Sequence, residues 1–268
     1  MRKIFLSALL VASAITLNAQ TQIANYFKLT RSNFNEKNAL ATTAFVEKYF
    51  RVPGNTGFNA SIHYVEDILK KAGYVEQKAN EFEAPLTYRI EKRPMKRNTW
   101  EPVDASITIL GENQPIQAFK TNRNMIPINC PSTVAGGVTA EVVFVGKGTA
   151  NELSGKDFKG KIIFVEGAAG RLVSVAAKEG AIGVMGYSMP KYNQPEIHQT
   201  SISFGSMQPN AGIWSLLLSY ATKEKLKVMN SIIGRQPFIA APTPIPAKPN
   251  SEIGVSITLF APNSANIP

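Results

Sequence analysis

The stretch Val138–Ser188 restricts the fold of this chain more than any other part of it. Lys161–Val165 (KIIFV) is an apolar, β-branched run of strand length. Gly167 and Gly170 break it. Between Arg171 and Glu179, Leu172, Val175 and Ala176 recur at helical spacing, which makes one face apolar. Gly180 then stands where a helix needs a left-handed residue to stop. Ala181–Tyr187 (AIGVMGY) is a second short apolar run. Strand, crossover helix and strand together predict a parallel βαβ unit with a right-handed connection.

The N-terminus reads as a leader, not as part of that fold. Met1-Arg2-Lys3 is basic, and Ile4–Leu17 is apolar but too short to span a bilayer comfortably. Ala19 or Gln20 offers a cleavage point, so residues 1–20 are expected to be a signal peptide and the mature chain secreted or periplasmic. No Cys follows the cleavage point, which argues against a lipoprotein and predicts no stable membrane anchor. The one cysteine, Cys130, excludes an intrachain disulfide. It has no His near it in sequence and reads as a buried small side chain rather than a nucleophile.

The net charge of +10 permits weak attraction to anionic surfaces. The basic residues are scattered except in Arg89–Arg97 (RIEKRPMKR), which has only Tyr88 beside it and no aromatic ladder. A solvated strand or loop is the better reading, and no nucleic-acid partner is expected.

Two helices open the mature chain. Asn35–Phe50 carries Ala41, Phe45 and Tyr49 on one face. After the turn-rich Arg51–Gly57, Phe58–Ala72 places Phe58, Ile62, Val65, Leu69 and Ala72 in one stripe, and Gly73 ends it. Tyr74–Ala84 reads as an exposed strand. Further on, Ala105–Leu110 is strand-like, Ser201–Ser206 and Gly212–Leu218 are apolar runs, and Thr222–Ile233 is a helix with Leu226 and Met229 toward the core. Pro242–Pro249 (PTPIPAKP) reads as a linker. Glu252–Phe260 alternates Ile253, Val255, Ile257 and Leu259 with small or polar residues, the pattern of a half-buried strand.

Two of these blocks carry resemblances. Asp157-Phe158-Lys159-Gly160-Lys161-Ile162-Ile163, followed by Ala176-Ala177-Lys178-Glu179-Gly180-Ala181-Ile182-Gly183-Val184, resembles the protease-associated (PA) domain, a non-catalytic lid or partner-contact module of secreted hydrolases. Arg51, Gly54-Asn55-Thr56-Gly57, Tyr64-Val65 and Leu69-Lys70-Lys71-Ala72-Gly73-Tyr74 resemble the opening of secreted zinc aminopeptidases, the co-catalytic zinc exopeptidases related to glutamate carboxypeptidase and the transferrin receptor. That family often carries a PA domain inserted at this point. The resemblance therefore implies a mixed α/β chain. Residues 21–94 would give the N-terminal helices and first strand of a peptidase-like domain. Residues 95–245 would form the inserted domain, a small β-barrel-like sheet with flanking helices. Residues 246–268 would hold the return strand, with 252–260 pairing with 74–84, and the chain would stop before the metal site.

In the resembled family two zinc ions follow that strand, held by His, Asp and Glu, with a further Glu as general base. Two metals polarise the carbonyl and generate hydroxide near neutral pH. None of those positions falls in this chain, so no catalytic or metal residue is carried over, and zinc is implied only for a complete family member. The residues present offer little in its place. His63 and Asp67 share a helix face and read as a surface contact. The turn Gly167–Arg171 has amides that could hold an anion, but a plain strand-to-helix turn is the better reading. The loop Met189–Thr200 is long, polar and proline-broken. As a simple connector it needs no partner; as a contact surface it offers Tyr192 and His198 to a peptide or protein substrate or partner.

Two functions follow. The first is the N-terminal and PA portion of a secreted zinc aminopeptidase, with the missing catalytic domain as its intramolecular partner. The second is a stand-alone secreted PA-domain protein that binds a protein or peptide without catalysis. The first is preferred, because a chain ending on a strand without its sheet leaves an unpaired edge.

Overall fold

The computed structural model describes residues 23–77, 86–96, 99–232, 237–242 and 254–260. The expected signal peptide, most of the expected strand at 74–84 and the linker at 243–249 lie outside them. Among the described residues no helix is long and apolar enough to cross a membrane.

Chain contacts separate a unit ending at Tyr49 from a second that begins at Phe50. In the first, residues 23–33 (α1) and Glu36–Glu47 (α2) are helical. Asn35 caps α2 by accepting a hydrogen bond from the Asn38 amide. The expected helix is present, but α2 has no buried residue, and its expected apolar face amounts to a Phe45–Tyr49 ring contact with centroids 5.4 Å apart.

The second unit opens with α3 (Thr56–Lys71), whose N-cap is Asn55. The Asn55 side chain accepts from the Phe58 amide at 2.8 Å and donates to the Phe50 carbonyl at 2.8 Å. At the other end Gly73 adopts φ +86°, and the Tyr74 and Gly73 amides donate to the Leu69 and Lys70 carbonyls. That is a Schellman stop, and it is why the helix ends where the glycine stands. Phe58, Ile62, Val65 and Leu69 are only half-buried; the fully buried positions of α3 are Gly57, Ser61 and Glu66.

Beside α3 lies a three-stranded sheet in the order β1 (Val75–Glu76), β2 (Thr87–Arg93), β10 (Gly254–Phe260). β1 runs parallel to β2, and β10 antiparallel to it, with Tyr88 opposite Leu259 and Ile90 opposite Ile257. The return strand therefore pairs with Thr87–Arg93, not with 74–84 as expected. The reason is local. Glu91 takes hydrogen bonds from both Arg89 and Arg93, so the charges that made this stretch look like a solvated loop neutralise one another. Thr87 and Tyr88 are buried at its start.

The remaining strands form one seven-stranded sheet: β4 (Gln117–Ala118), β3 (Ala105–Ile109), β9 (Pro237–Pro242), β5 (Val138–Phe144), β6 (Ile162–Val165), β7 (Gly183–Gly186), β8 (Trp214–Leu217). From β4 to β5 it is antiparallel; from β5 to β8 it is parallel. β5 joins the two halves by changing partner along its length: Val138–Glu141 pair with β9 and Val142–Phe144 with β6. The expected parallel βαβ unit is β6, α5 (Val173–Lys178) and β7. All four residues of β6 and of β7 are buried, as in a parallel sheet covered on both faces.

β9 was not anticipated. Its prolines stand at its two ends, where a missing N–H leaves the interior of the ladder intact. Ala105, the first residue of β3, is the register partner of Pro242, the last of β9, so the chain enters and leaves this sheet at adjacent positions. The ladder itself is open, yet its two edge strands meet. The buried Gln117 of β4 donates to the Leu217 carbonyl of β8 at 2.7 Å and accepts from the Ser219 amide at 2.9 Å.

Candidate functional site

In an open parallel sheet the segments that follow the strands all emerge at one end, and ligands bind there. Here that end carries a pocket of about 290 Å³. The short 3-10 turn Ala169–Arg171 after β6 forms one wall, Ser188 after β7 a second, and Ile202–Met207 a roof; Ser215, Leu217 and Leu218 of β8 and its exit line the floor. Two glycines make the space. A Cβ on Gly186 would stand 2.6 Å from the Ala169 Cβ, and one on Gly205 would stand 2.9 Å from a Leu217 methyl. The Gly167–Arg171 turn, read above as a plain connection, thus forms part of the pocket wall.

The lining has a definite chemical character. Ser188, Ser203, Ser206 and Ser215 belong to it, and among the described residues Arg171 supplies the single charged side chain. Among the described residues no ion pair involves Arg171. Ile202, Phe204, Met207 and Leu217 give the apolar part. Ser215 is fully buried, and its Oγ has no hydrogen-bond partner. Its backbone is held from the other side by Cys130: the thiol donates to the Ser215 carbonyl at 3.2 Å, and the Ser215 amide donates to the sulfur at 3.4 Å. Burial pushes the Cys130 thiol up to about 12, so it is a structural group, as its sequence context suggested.

A second polar cluster lies near the exits of β6 and β7. Lys223, in α6 (Tyr220–Ile232), is buried with its ammonium 4.1 Å from the Tyr220 ring centroid and 4.8 Å from that of Tyr187. It pairs with Glu224 and lies 3.8 Å from Glu166, which also accepts from Lys227 at 2.9 Å. Every charge has an opposite partner, so the cluster ties α6 to the sheet.

Tyr192 is 83% exposed, and His198 is exposed on the same loop. That loop is a chain of turns rather than an open connection: Gln194 adopts φ 49°, its carbonyl accepts from the Ile197 and His198 amides, and Asn122 holds the Thr200 carbonyl at 2.7 Å. His63 does not meet Asp67. Its Nδ1 lies 2.9 Å from Glu66, which also accepts from the Tyr88 hydroxyl at 2.9 Å and pairs with Lys70 at 2.7 Å. These contacts hold the Glu66 carboxyl down at about 2, Lys70 contributing most. Glu66 was missed because it interrupts no apolar stripe; its signal was the conjunction of His63 and Lys70 within one turn on either side. Among the described residues no group of three or more His, Cys, Asp or Glu side chains is arranged to hold a metal. The zinc implied by the resemblance has no ligand set among them.

No protein-family model matches the chain, and no curated protein does. Solved structures do. A peptidase M28 precursor from Shewanella amazonensis SB2B superposes with TM-score 0.50 at 16% identity, over 82% of this chain and 47% of that one. An aminopeptidase from Aneurinibacillus sp. strain AM-1 aligns with TM-score 0.44 at 18% identity, over 84% of this chain and 46% of that one. A zinc aminopeptidase from Bacillus subtilis aligns with TM-score 0.49 at 14% identity, over 85% and 44%. The chain spans about half the length of these structures. At such identities the likeness is one of fold. It concerns most of this chain, and the first of these superpositions carries it.

Proposed function

We propose that this chain is the N-terminal and protease-associated portion of a secreted zinc-dependent aminopeptidase. The observation that carries the reading is topological: a body entered and left at Ala105 and Pro242 is flanked by β2 and β10, which pair with each other. An insertion into a host sheet has this arrangement, and the fold likeness to a peptidase M28 precursor supports it. In this reading residues 95–245 are the PA domain. The catalytic domain supplies two zinc ions and cleaves peptides at their N-termini. The test is to express the open reading frame with all sequence downstream of Pro268 and assay aminoacyl-nitroanilides. Chelator-sensitive turnover by the longer protein, absent from the 268-residue chain, is expected; a longer protein without turnover refutes the reading. A stand-alone binding module is the second reading, favoured by the pocket at the ends of β6, β7 and β8.

The exposed Tyr192 and His198 are proposed to touch peptide substrate near the mouth of the complete enzyme. Both stand on a loop pinned at Gln194 and Thr200, so they are presented on a fixed frame. Replacing residues 190–199 by a Gly/Ser linker is expected to change the ratio of dipeptide to longer-peptide cleavage. An unchanged ratio with folding intact makes the loop a connector.

A further inference from the structure

We propose that the pocket at the ends of β6, β7 and β8 binds a carboxylate that carries a short, uncharged apolar body. This rests on the lining alone and holds whether or not the chain is part of a peptidase. Three observations lead to it.

The first is charge. Among the described residues Arg171 is the single charged side chain of the lining, no acidic side chain belongs to the wall, and no ion pair occupies the guanidinium. A guanidinium matches a carboxylate with two parallel N–H donors. With no acid among the described residues of the wall, an ammonium would find no counter-charge there, so the rest of the ligand is neutral. The second is size and polarity. About 290 Å³ lies at the low end of small-molecule sites, and Ile202, Phe204, Met207 and Leu217 suit an aliphatic group.

The third observation is Ser215. A fully buried hydroxyl without a partner is destabilising, and native proteins keep few of them. Ser215 lines the same face of β8 as Leu217, at the pocket floor, where Ala would fill the position as well. A polar ligand atom that reached it, with a shift of the atoms now covering it, would supply the missing bond. The hydroxyl then makes sense as part of a site and not of a core.

Two sources share this chemistry: the C-terminal residue of a peptide and a short branched fatty acid. Ser188, Ser203 and Ser206 favour the former, because a peptide also brings an amide to bond. The test titrates the full chain, without its leader, with N-acetyl-L-leucine, N-acetyl-L-leucinamide, 4-methylpentanoate and phosphate, followed by calorimetry and by the ligand-induced shift in Tm. N-acetyl-L-leucine is expected to bind saturably, its amide at least about tenfold more weakly through the loss of one charge-assisted pair, and phosphate at least about tenfold more weakly because it brings no apolar body to the wall. Weaker binding of 4-methylpentanoate assigns the peptide source; equal binding assigns a simple carboxylate. Arg171→Ala should lower affinity about tenfold. Ser215→Ala should leave the ligand-free Tm unchanged or raised and still weaken binding, which a packing residue would not do. Absence of saturable binding up to about 10 mM, equal binding of the amide, or wild-type affinity in both variants overturns the proposal.

Discussion

Glu66 shows how much one side chain can do between two elements. It sits on α3, is buried, and accepts from Tyr88 of β2 while pairing with Lys70 and His63. Its carboxyl is held at about 2 against an ordinary value of 4.5. The folded state therefore binds this proton less readily than the unfolded chain. The stabilisation is complete above about 4.5 and is lost as pH falls toward about 2. Glu66→Gln is expected to lower stability by about 1–3 kcal/mol at neutral pH and to flatten the acid limb of stability between those values. Urea melts of both proteins from pH 7 to pH 2.5 measure it; parallel acid limbs would place the stabilisation elsewhere. The sequence shows His63 but pairs it with the wrong carboxylate, because spacing along a helix names two neighbours and only the strand facing it selects one. Cys130 was legible, since a lone thiol with no His near it in sequence has few alternatives to burial.

Among the elements, those with a strong period were legible and those with none were not. β6, α5 and β7 follow from KIIFV, the Leu172 to Ala176 spacing and Gly180. β2 was hidden by its charges, which only the Arg89–Glu91–Arg93 contacts neutralise. β9 was hidden by flanking prolines, whose harmlessness depends on their lying at strand ends. The floor of the pocket was hidden for a different reason: one serine within the apolar run GIWSLLL is unremarkable until the strands beside it are known. β7 and β8 carry a packing device that can be tested. Gly183 is the register partner of Trp214, and a Cβ at 183 would stand 2.3 Å from the indole ring. The ring is buried and cannot give way. Gly183→Ala is expected to cost about 1–3 kcal/mol by overpacking, with a shifted Trp fluorescence maximum as the ring moves. A denaturation midpoint equal to wild type would contradict it.

For the second unit as a whole, the prediction concerns autonomy. The core cluster runs through the seven-stranded sheet from Ala105 to Leu226, and Gln117 joins its two edges. A fragment spanning 99–246 is expected to fold cooperatively on its own, with a single thermal transition and protected amides in β6 and β7. A fragment lacking cooperative unfolding would mean that α3 and β2 are needed to complete the core. The register that joins Ala105 to Pro242 was not readable in the sequence, because β9 was unseen.

That register has a meaning in the currency of genes. Antiparallel register partners stand about 5 Å apart, so Ala105 and Pro242 are separated by hardly more than one residue of chain. A recombination event that removed everything between them would leave two ends already within reach of a tight turn. One that added such a block would not oblige the recipient strands to slide. Loss, gain or exchange of the whole block is then a single heritable step that leaves the reading of β2 and β10 unaltered.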